Sequence, residues 1–369
     1  MLVGLAVVAG LSSLQGEGMS TYDLRALLES VRAEYKLPAM AAAIVMGERV
    51  FASDAVGVRK LGSDVPVKVT DKFHIGSCTK SFTATLAAML VEDGKLRWDT
   101  KIIDVFPTVP VNAALQGVTI DQLLAHRSGI RGDLNDADMD RYVHTAMKPM
   151  DQRSEVMAKL LPEAPENTPG STFSYSNLGV TVAGSMIEHL VGKPWEQLVS
   201  DRIFKPLGMK SAGFGAPAKP GEVDQPWGHL ATDAGAYEPV PPGPEADNPP
   251  AIGPAATVHS SVLDLAKYAE FYLNAAKGQS SLLTKQSFDR LASDPYGQNY
   301  GLGWLVVERS WTKGPALTHG GSNTMFYTVI WIAPGQDFAI IVATNAGGDN
   351  AKLAADKVVH NTVTTLFNR

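Results

Sequence analysis

The patterning of this chain predicts an α/β (α+β) fold in which an antiparallel sheet is flanked by N- and C-terminal helices, with a mostly helical region inserted between the two parts of the sheet. Three observations predict it. An apolar hairpin pattern stands between residues 40 and 58. A second group of strand patterns, between 301 and 344, runs into a final helix. Most periodic stretches from Ser77 to Ala292 repeat at helical spacing. A sheet supplied from both ends of a chain leaves the middle to build a second region beside it.

Taken in order, Leu24, Leu27, Leu28 and Val31 recur at helical spacing behind Ser20 and Thr21, the candidate caps. Met40–Met46 and Val50–Val58, separated by Gly47-Glu48-Arg49, read as the two strands of a hairpin. From Ser77 to about Gly94 the period becomes helical, and further helices are expected over Ile120–Ala125, Ser154–Leu161, Leu178–Val191, Trp195–Ile203, Val262–Ala276 and Thr284–Ala292. Between Gly215 and Pro254 stand ten of the 23 prolines, a density that predicts a long, stiff, irregular loop at the rim of a site. Strand patterns return at Gly301–Val307, Ala316–His319 and Phe326–Ile332. Ala333-Pro334-Gly335-Gln336 then carries the proline and glycine of a type II turn before Phe338–Thr344 runs back. Ala351–Leu366 closes the chain as a helix able to cover one face of the sheet. Residues 19–76 and 295–369 thus form the sheet region and 77–294 the helical region with loop 215–254, together one unit.

With 369 residues, 45% of them hydrophobic, the chain can bury a large core. A net charge of −6 without a long Lys/Arg run gives no footprint for nucleic acid or anionic lipid. One cysteine excludes an internal disulfide framework. The eight scattered histidines, with no HExxH or CxxC, give no reason to expect a metal. The apolar run 2–11 is too short to span a bilayer and fits a signal core, which predicts an exported or periplasmic protein. If Met19 is the start, residues 1–18 are an extension and a cytoplasmic location is expected.

Chemistry concentrates in three segments. His74-Ile75-Gly76-Ser77-Cys78-Thr79-Lys80-Ser81 precedes an amphipathic helix, and a lysine three residues after a serine stands on the same helical face. A serine hydroxyl needs a base, and a buried lysine with a depressed pKa can supply it, while the Ser77 N–H at the helix start is one donor to an oxyanion. Phe173-Ser174-Tyr175-Ser176-Asn177 sets a phenol able to relay protons and an amide able to bond lysine and substrate at a loop-to-helix junction. Thr318-His319-Gly320-Gly321-Ser322 puts two glycines in a strand, which they weaken unless a backbone or ligand must come close, and this suggests substrate lying along this edge. Each alone also reads blandly: a capping serine with a solvated lysine, a turn cap, a strand end. Cys78 reads as a buried small hydrophobe.

In order, Ser77-x-x-Lys80, Tyr175-x-Asn177 and His319-Gly320-Gly321 resemble the motif set of the serine β-lactamase and penicillin-binding superfamily. Tyr-x-Asn in second place points to the class C-like branch, which includes class C β-lactamases, D-alanyl-D-alanine carboxypeptidases, D-aminopeptidases and family VIII carboxylesterases. Leu123-Leu124-Ala125-His126-Arg127-Ser128-Gly129, Pro206-Leu207-Gly208-Met209 and Ala343-Thr344-Asn345 extend the similarity over roughly residues 20–369. The resemblance implies a β-lactamase/transpeptidase-like fold with Ser77 as nucleophile and Lys80 and Tyr175 as the proton-transfer pair. It implies the N–H groups of Ser77 and Ser322 as oxyanion hole, and Asn177, His319, Gly320 and Gly321 against the substrate. No cofactor is required, and His126 belongs to a helix-end and turn element. Where lactamases carry a lysine, this chain has His319, mostly neutral near pH 7 and expected to gain charge and favour anionic substrates toward pH 6. The expected partner is a small-molecule ester, peptide or β-lactam. The expected activity is hydrolysis of carboxylic esters or of amides next to D-residues through an acyl-enzyme, with ester-like activity favoured. The alternatives are a β-lactamase, a D-alanyl-D-alanine carboxypeptidase or D-aminopeptidase, and a slowly deacylating sensor.

Overall fold

The computed structural model describes residues 22–233 and 235–367. The apolar run 2–11 and the candidate caps Ser20 and Thr21 lie outside the described residues; within them, Asp23 caps the first helix, its carboxylate accepting from the Ala26 N–H at 2.9 Å. The helices in chain order are α1 Leu24–Glu34, α2 Thr79–Glu92, α3 Ile102–Val105, α4 Ile120–Leu124, α5 Asp136–His144, α6 Pro149–Leu160, α7 Asn177–Val191, α8 Trp195–Val199, α9 Gly253–Ala256, α10 Val262–Ala276, α11 Lys285–Leu291 and α12 Gly348–Phe367. The strands are β1 Ala39–Met46, β2 Arg49–Gly57, β3 Phe73–His74, β4 Gly213–Phe214, β5 Gly228–Ala231, β6 Tyr237–Val240, β7 Val258–Ser260, β8 Leu305–Val307, β9 Ala316–Ser322, β10 Tyr327–Ala333 and β11 Phe338–Thr344.

The two ends of the chain meet in one six-stranded antiparallel sheet of order β2-β1-β11-β10-β9-β8, with Met40 opposite Thr344 and Met46 opposite Phe338. Its central strands are apolar on both faces because both faces are covered. Ala39, Ala41, Ala43 and Val45 of β1 join Ala339, Ile341 and Ala343 of β11 in the core that holds α2 and α10. Met40, Ala42 and Ile44 join Phe338, Ile340 and Val342 in the core under α1 and α12. The two-residue period therefore feeds two cores from one strand.

Five details differ from these expectations. The segment 215–254 is not free of regular structure: β5 and β6 pair within it, with Pro239 opposite His229. The His229 N–H donates away from that partner, to the Met325 carbonyl at 3.0 Å, so no ladder bond is lost to the proline. Residues Pro334–Gln336 form a short 3₁₀ turn, with Asp337 at φ 49°, instead of a type II turn. Gly335 is needed there for space, since a Cβ would overlap the Lys313 carbonyl oxygen. The strand expected from Gly301 begins only at Leu305, and Trp195–Ile203 passes from α8 into a π turn over Ser200–Phe204. Finally, α5 was not expected: Tyr142 is its single buried residue, so it has no apolar period, and Asn135 starts it by accepting from the Asp138 N–H at 2.8 Å.

Candidate active site

The chain reaches the site through β3 and turns at Gly76, whose φ of 49° is left-handed, into a 3₁₀ turn over Gly76–Cys78 that leads directly into α2. Across from this turn runs β9. The β8 ladder ends at Thr318, opposite Leu305, and the remaining edge of β9 approaches the turn backbone to backbone. A Cβ on Gly76 would overlap the Ser322 nitrogen, and one on Gly321 would overlap the Ile75 carbonyl and lie 2.6 Å from the Ser77 nitrogen. At Gly321, where the glycine pair suggested substrate, the close approach is made by the protein's own backbone, and it brings the N–H groups of Ser77 and Ser322 to one edge. Ser322 Oγ is occupied, donating to the Phe326 carbonyl at 2.7 Å and accepting from Thr324 at 2.9 Å.

Lys80 is fully buried, and its Nζ has three neighbours: Ser77 Oγ at 3.0 Å, Asn177 Oδ1 at 2.6 Å and the Ala255 carbonyl at 3.1 Å. Asn177 opens α7 behind Ser176, whose Oγ accepts from the Gly179 N–H at 2.8 Å. Asn177 Nδ2 donates to the Asp133 carboxylate at 2.7 Å. A carboxylate can only accept, so the amide orientation is fixed and Oδ1 faces Lys80. Burial lowers the Lys80 pKa to about 7, with the Asp133 charge opposing the shift. A neutral Lys80 has two N–H groups for its two obligatory acceptors, Asn177 Oδ1 and the Ala255 carbonyl. Its lone pair is left for the Ser77 proton.

Tyr175 stands at the mouth, 41% exposed, with Lys80 Nζ 4.7 Å from its ring centroid. Burial raises its pKa, and the nearby Ser77 side chain partly offsets this. The phenol therefore keeps its proton where Lys80 has already lost one, which makes the lysine the better base of the pair. Cys78 is enclosed, donates to the His319 carbonyl at 3.2 Å, and has its thiol pKa raised by burial, so it is no rival nucleophile.

A family model described as Beta-lactamase matches residues 24–362. The chain belongs to the Beta-lactamase family. Penicillin-binding protein 4 of Amycolatopsis lactamdurans is 27% identical over 332 residues, covering 86% of this chain and 84% of that protein. Protein flp of Staphylococcus aureus (strain MW2) is 26% identical over 85% of this chain, which spans 60% of flp. Among solved structures, an octameric penicillin-binding protein homologue from Pyrococcus abyssi superposes with a TM-score of 0.77 at 25% identity, over 94% of this chain and 78% of its own. A D-amino acid amidase from Ochrobactrum anthropi SV3 shares the fold at a TM-score of 0.73 and 21% identity, over 93% of this chain and 98% of its own. Among the described residues no helix is long and apolar enough to cross a membrane.

Within this Beta-lactamase family chain, the residues singled out from sequence come together at one edge, with one change of role. His319 is only 3% exposed, and both ring nitrogens bond within the protein: Nδ1 to the Gly320 carbonyl at 2.7 Å and Nε2 to Tyr300 Oη at 3.3 Å. Burial and the neighbouring Lys80 lower its pKa to about 3. The expected gain of charge toward pH 6 is therefore opposed, and both ring nitrogens already have partners within the protein. Three residues of the site had not been singled out for it. Asp133 orients Asn177, and Tyr300 bonds His319. His126, at φ 57° just past α4, packs its ring 4.4 Å from that of Tyr175. The aromatic and glycine cluster Tyr300-Gly301-Leu302-Gly303-Trp304 was the available signal for Tyr300; a lone aspartate after Gly132 offered none for Asp133.

Proposed function

We propose that the protein is a serine hydrolase that forms an acyl-enzyme on Ser77 with carboxylic esters or with amides next to D-residues. The observation that carries this is the hydrogen-bond set of Lys80: two acceptors fill its N–H groups and aim its lone pair at Ser77 Oγ, 3.0 Å away. Lys80 takes the serine proton as Oγ attacks the carbonyl carbon, and the N–H groups of Ser77 and Ser322 donate to the oxyanion. Tyr175 hands its proton to the leaving group and is reprotonated from Lys80. Water then repeats the sequence in reverse and releases the acid. A fluorophosphonate probe tests this: it should add once per chain, on the peptide containing Ser77, and not at all to Ser77→Ala. Labelling of another residue overturns the assignment.

Ester-like turnover is favoured by the absence of charge on His319, which leaves an anionic β-lactam or C-terminal carboxylate without a counter-charge from that wall. A second reading, an amidase for D-amino acids with a free ammonium group, is favoured by the Asp133 carboxylate beside Asn177. D-alanine p-nitroanilide and isobutyryl p-nitroanilide differ only by ammonium for methyl. A kcat/KM ratio above one that falls in Asp133→Asn supports the amidase, and a ratio below one supports the esterase.

A further inference from the structure

Behind Tyr175 runs a hydrogen-bond chain whose two ends are fixed by backbone groups. The Ser176 N–H can only donate, and it donates to His126 Nδ1 at 3.1 Å. The Gly320 carbonyl can only accept, and it lies 2.7 Å from His319 Nδ1. His126 therefore carries its proton on Nε2 and His319 on Nδ1. Tyr300 stands between the two rings, its Oη 3.1 Å from His126 Nε2 and 3.3 Å from His319 Nε2. The His126 Nε2–H donates to Tyr300, and the Tyr300 hydroxyl donates to His319. Every donor has one acceptor, and all three side chains are buried, so water offers no substitute. The chain crosses the cleft, from the loop that carries Tyr175 to the strand that carries Ser322.

We propose that Tyr300 is a positioning residue whose hydroxyl, donating to His319 Nε2, keeps that nitrogen bare, so that the Nδ1–H tautomer set by the Gly320 carbonyl stays neutral and the strand wall of the site uncharged. A proton added at His319 Nε2 would aim a second N–H at the Tyr300 oxygen, already a target of His126, and leave the tyrosine hydroxyl proton with no acceptor. The titratable groups facing His319 are Lys80 and Cys78 from the start of α2, Tyr175 and His126 from the helical side, and Tyr300. A charge on Lys80 opposes a second one on the ring. The tautomer lock explains how a histidine replaces a lysine in this wall without acting as a weaker lysine. It deepens the acyl-enzyme reading, on which its catalytic consequence rests, but the tautomer itself is measurable without turnover.

The test is side-chain nitrogen NMR of the full chain with ¹⁵N-histidine, the two signals being assigned by their loss in His126→Gln and His319→Gln. Between pH 5.5 and 8 the wild type should keep His319 protonated on Nδ1 and bare on Nε2, and His126 the reverse. In Tyr300→Phe the Gly320 carbonyl still holds the Nδ1 proton, but Nε2 loses its donor, so the Nε2 signal should move and His319 should begin to take up a second proton toward pH 5.5. The kcat/KM ratio of p-nitrophenyl hemisuccinate to p-nitrophenyl butyrate should then rise at pH 5.5 by about three- to tenfold over its value at pH 8, while the wild-type ratio stays level. A wild-type spectrum with His319 protonated on Nε2 overturns the proposal even if the variant does not fold, as does a Tyr300→Phe spectrum with His319 unchanged. If neither ester is turned over and Ser77 resists the fluorophosphonate, the acyl-enzyme reading fails while the spectra still decide the lock.

Discussion

The two walls of the cleft work by different means. On the helical wall, Ser77, Lys80 and Asn177 offer side chains from the first turns of α2 and α7, and what matters there is which atom holds a proton. On the strand wall, His319 to Ser322 offers backbone: its glycines let β9 approach the Gly76–Cys78 turn, and its histidine is enclosed and neutral. The difference teaches where each wall is fragile. The helical wall fails when a functional group is removed from an intact frame. The strand wall fails when an atom is added.

The largest effect should come from the helical wall. Lys80→Met keeps the length of the side chain and removes the proposed base, so acylation should fall roughly 10²–10⁴-fold. The fold should be retained, and the variant should also lose a pH dependence of stability. Lys80 titrates near 7 in the folded protein against 10.5 when unperturbed, so the unfolded chain binds the extra proton between those values. Stability contributed by this depressed group therefore rises with pH across that window, by at most about 1.4 kcal/mol per pH unit. His319 has its window lower, between about 3 and its ordinary 6.5, with the same sign. Urea unfolding from pH 5 to 9.5 checks both. The alkaline rise should vanish in Lys80→Met and the acid loss should remain, whereas identical slopes in the two proteins would deny the burial of the lysine.

On the strand wall, Gly321→Ala adds one methyl group that would overlap the Ile75 carbonyl. The edge must move away from the turn, and the two proposed oxyanion donors, the N–H groups of Ser77 and Ser322, separate. Loss of one such donor is worth about 10²–10³-fold in kcat. KM for a neutral ester should change far less, and labelling by fluorophosphonate should slow by a similar factor. If Gly321→Ala kept its kcat, the Ser322 N–H would have no part in the reaction.

Much of this contrast was legible in the sequence, for reasons that differ between the walls. Ser77 and Lys80 could be placed on one helical face because helical spacing is fixed and the Gly76–Cys78 turn runs without a break into α2. The β1 and β11 strands were legible as continuous apolar runs. The glycine pair pointed to close approach of a substrate and not of the protein's own turn, because a strand edge does not reveal its partner 240 residues away in the chain. Tyr300, His126 and Asp133 escaped because their roles arise from burial and from the direction of hydrogen bonds, and neither leaves a period or a spacing. The proline-rich stretch misled for a related reason: whether a proline breaks a ladder depends on where its neighbour's N–H points, as His229 and Pro239 illustrate.

The smallest expected effect separates the walls most sharply, because it reads the base without removing it. The Asp133 charge raises the Lys80 pKa against the dominant lowering by burial. Asp133→Asn keeps an oxygen for the Asn177 amide and removes only the charge, so the Lys80 pKa should fall further. The acid limb of kcat/KM, which marks the loss of neutral Lys80 as pH drops through about 7, should shift to lower pH by roughly a few tenths of a unit, and less at high salt, because Asp133 is exposed and its field is screened. His319→Gln, on the other wall, exchanges one neutral group for another and should leave the position of the limb where it is, whatever it does to the height of the plateau. The profiles are to be measured with p-nitrophenyl butyrate at low and high ionic strength in wild type and both variants. A limb that moves in His319→Gln and stays in Asp133→Asn would mean that the histidine carries charge at neutral pH and that the division between a proton-handling wall and a backbone wall is wrong.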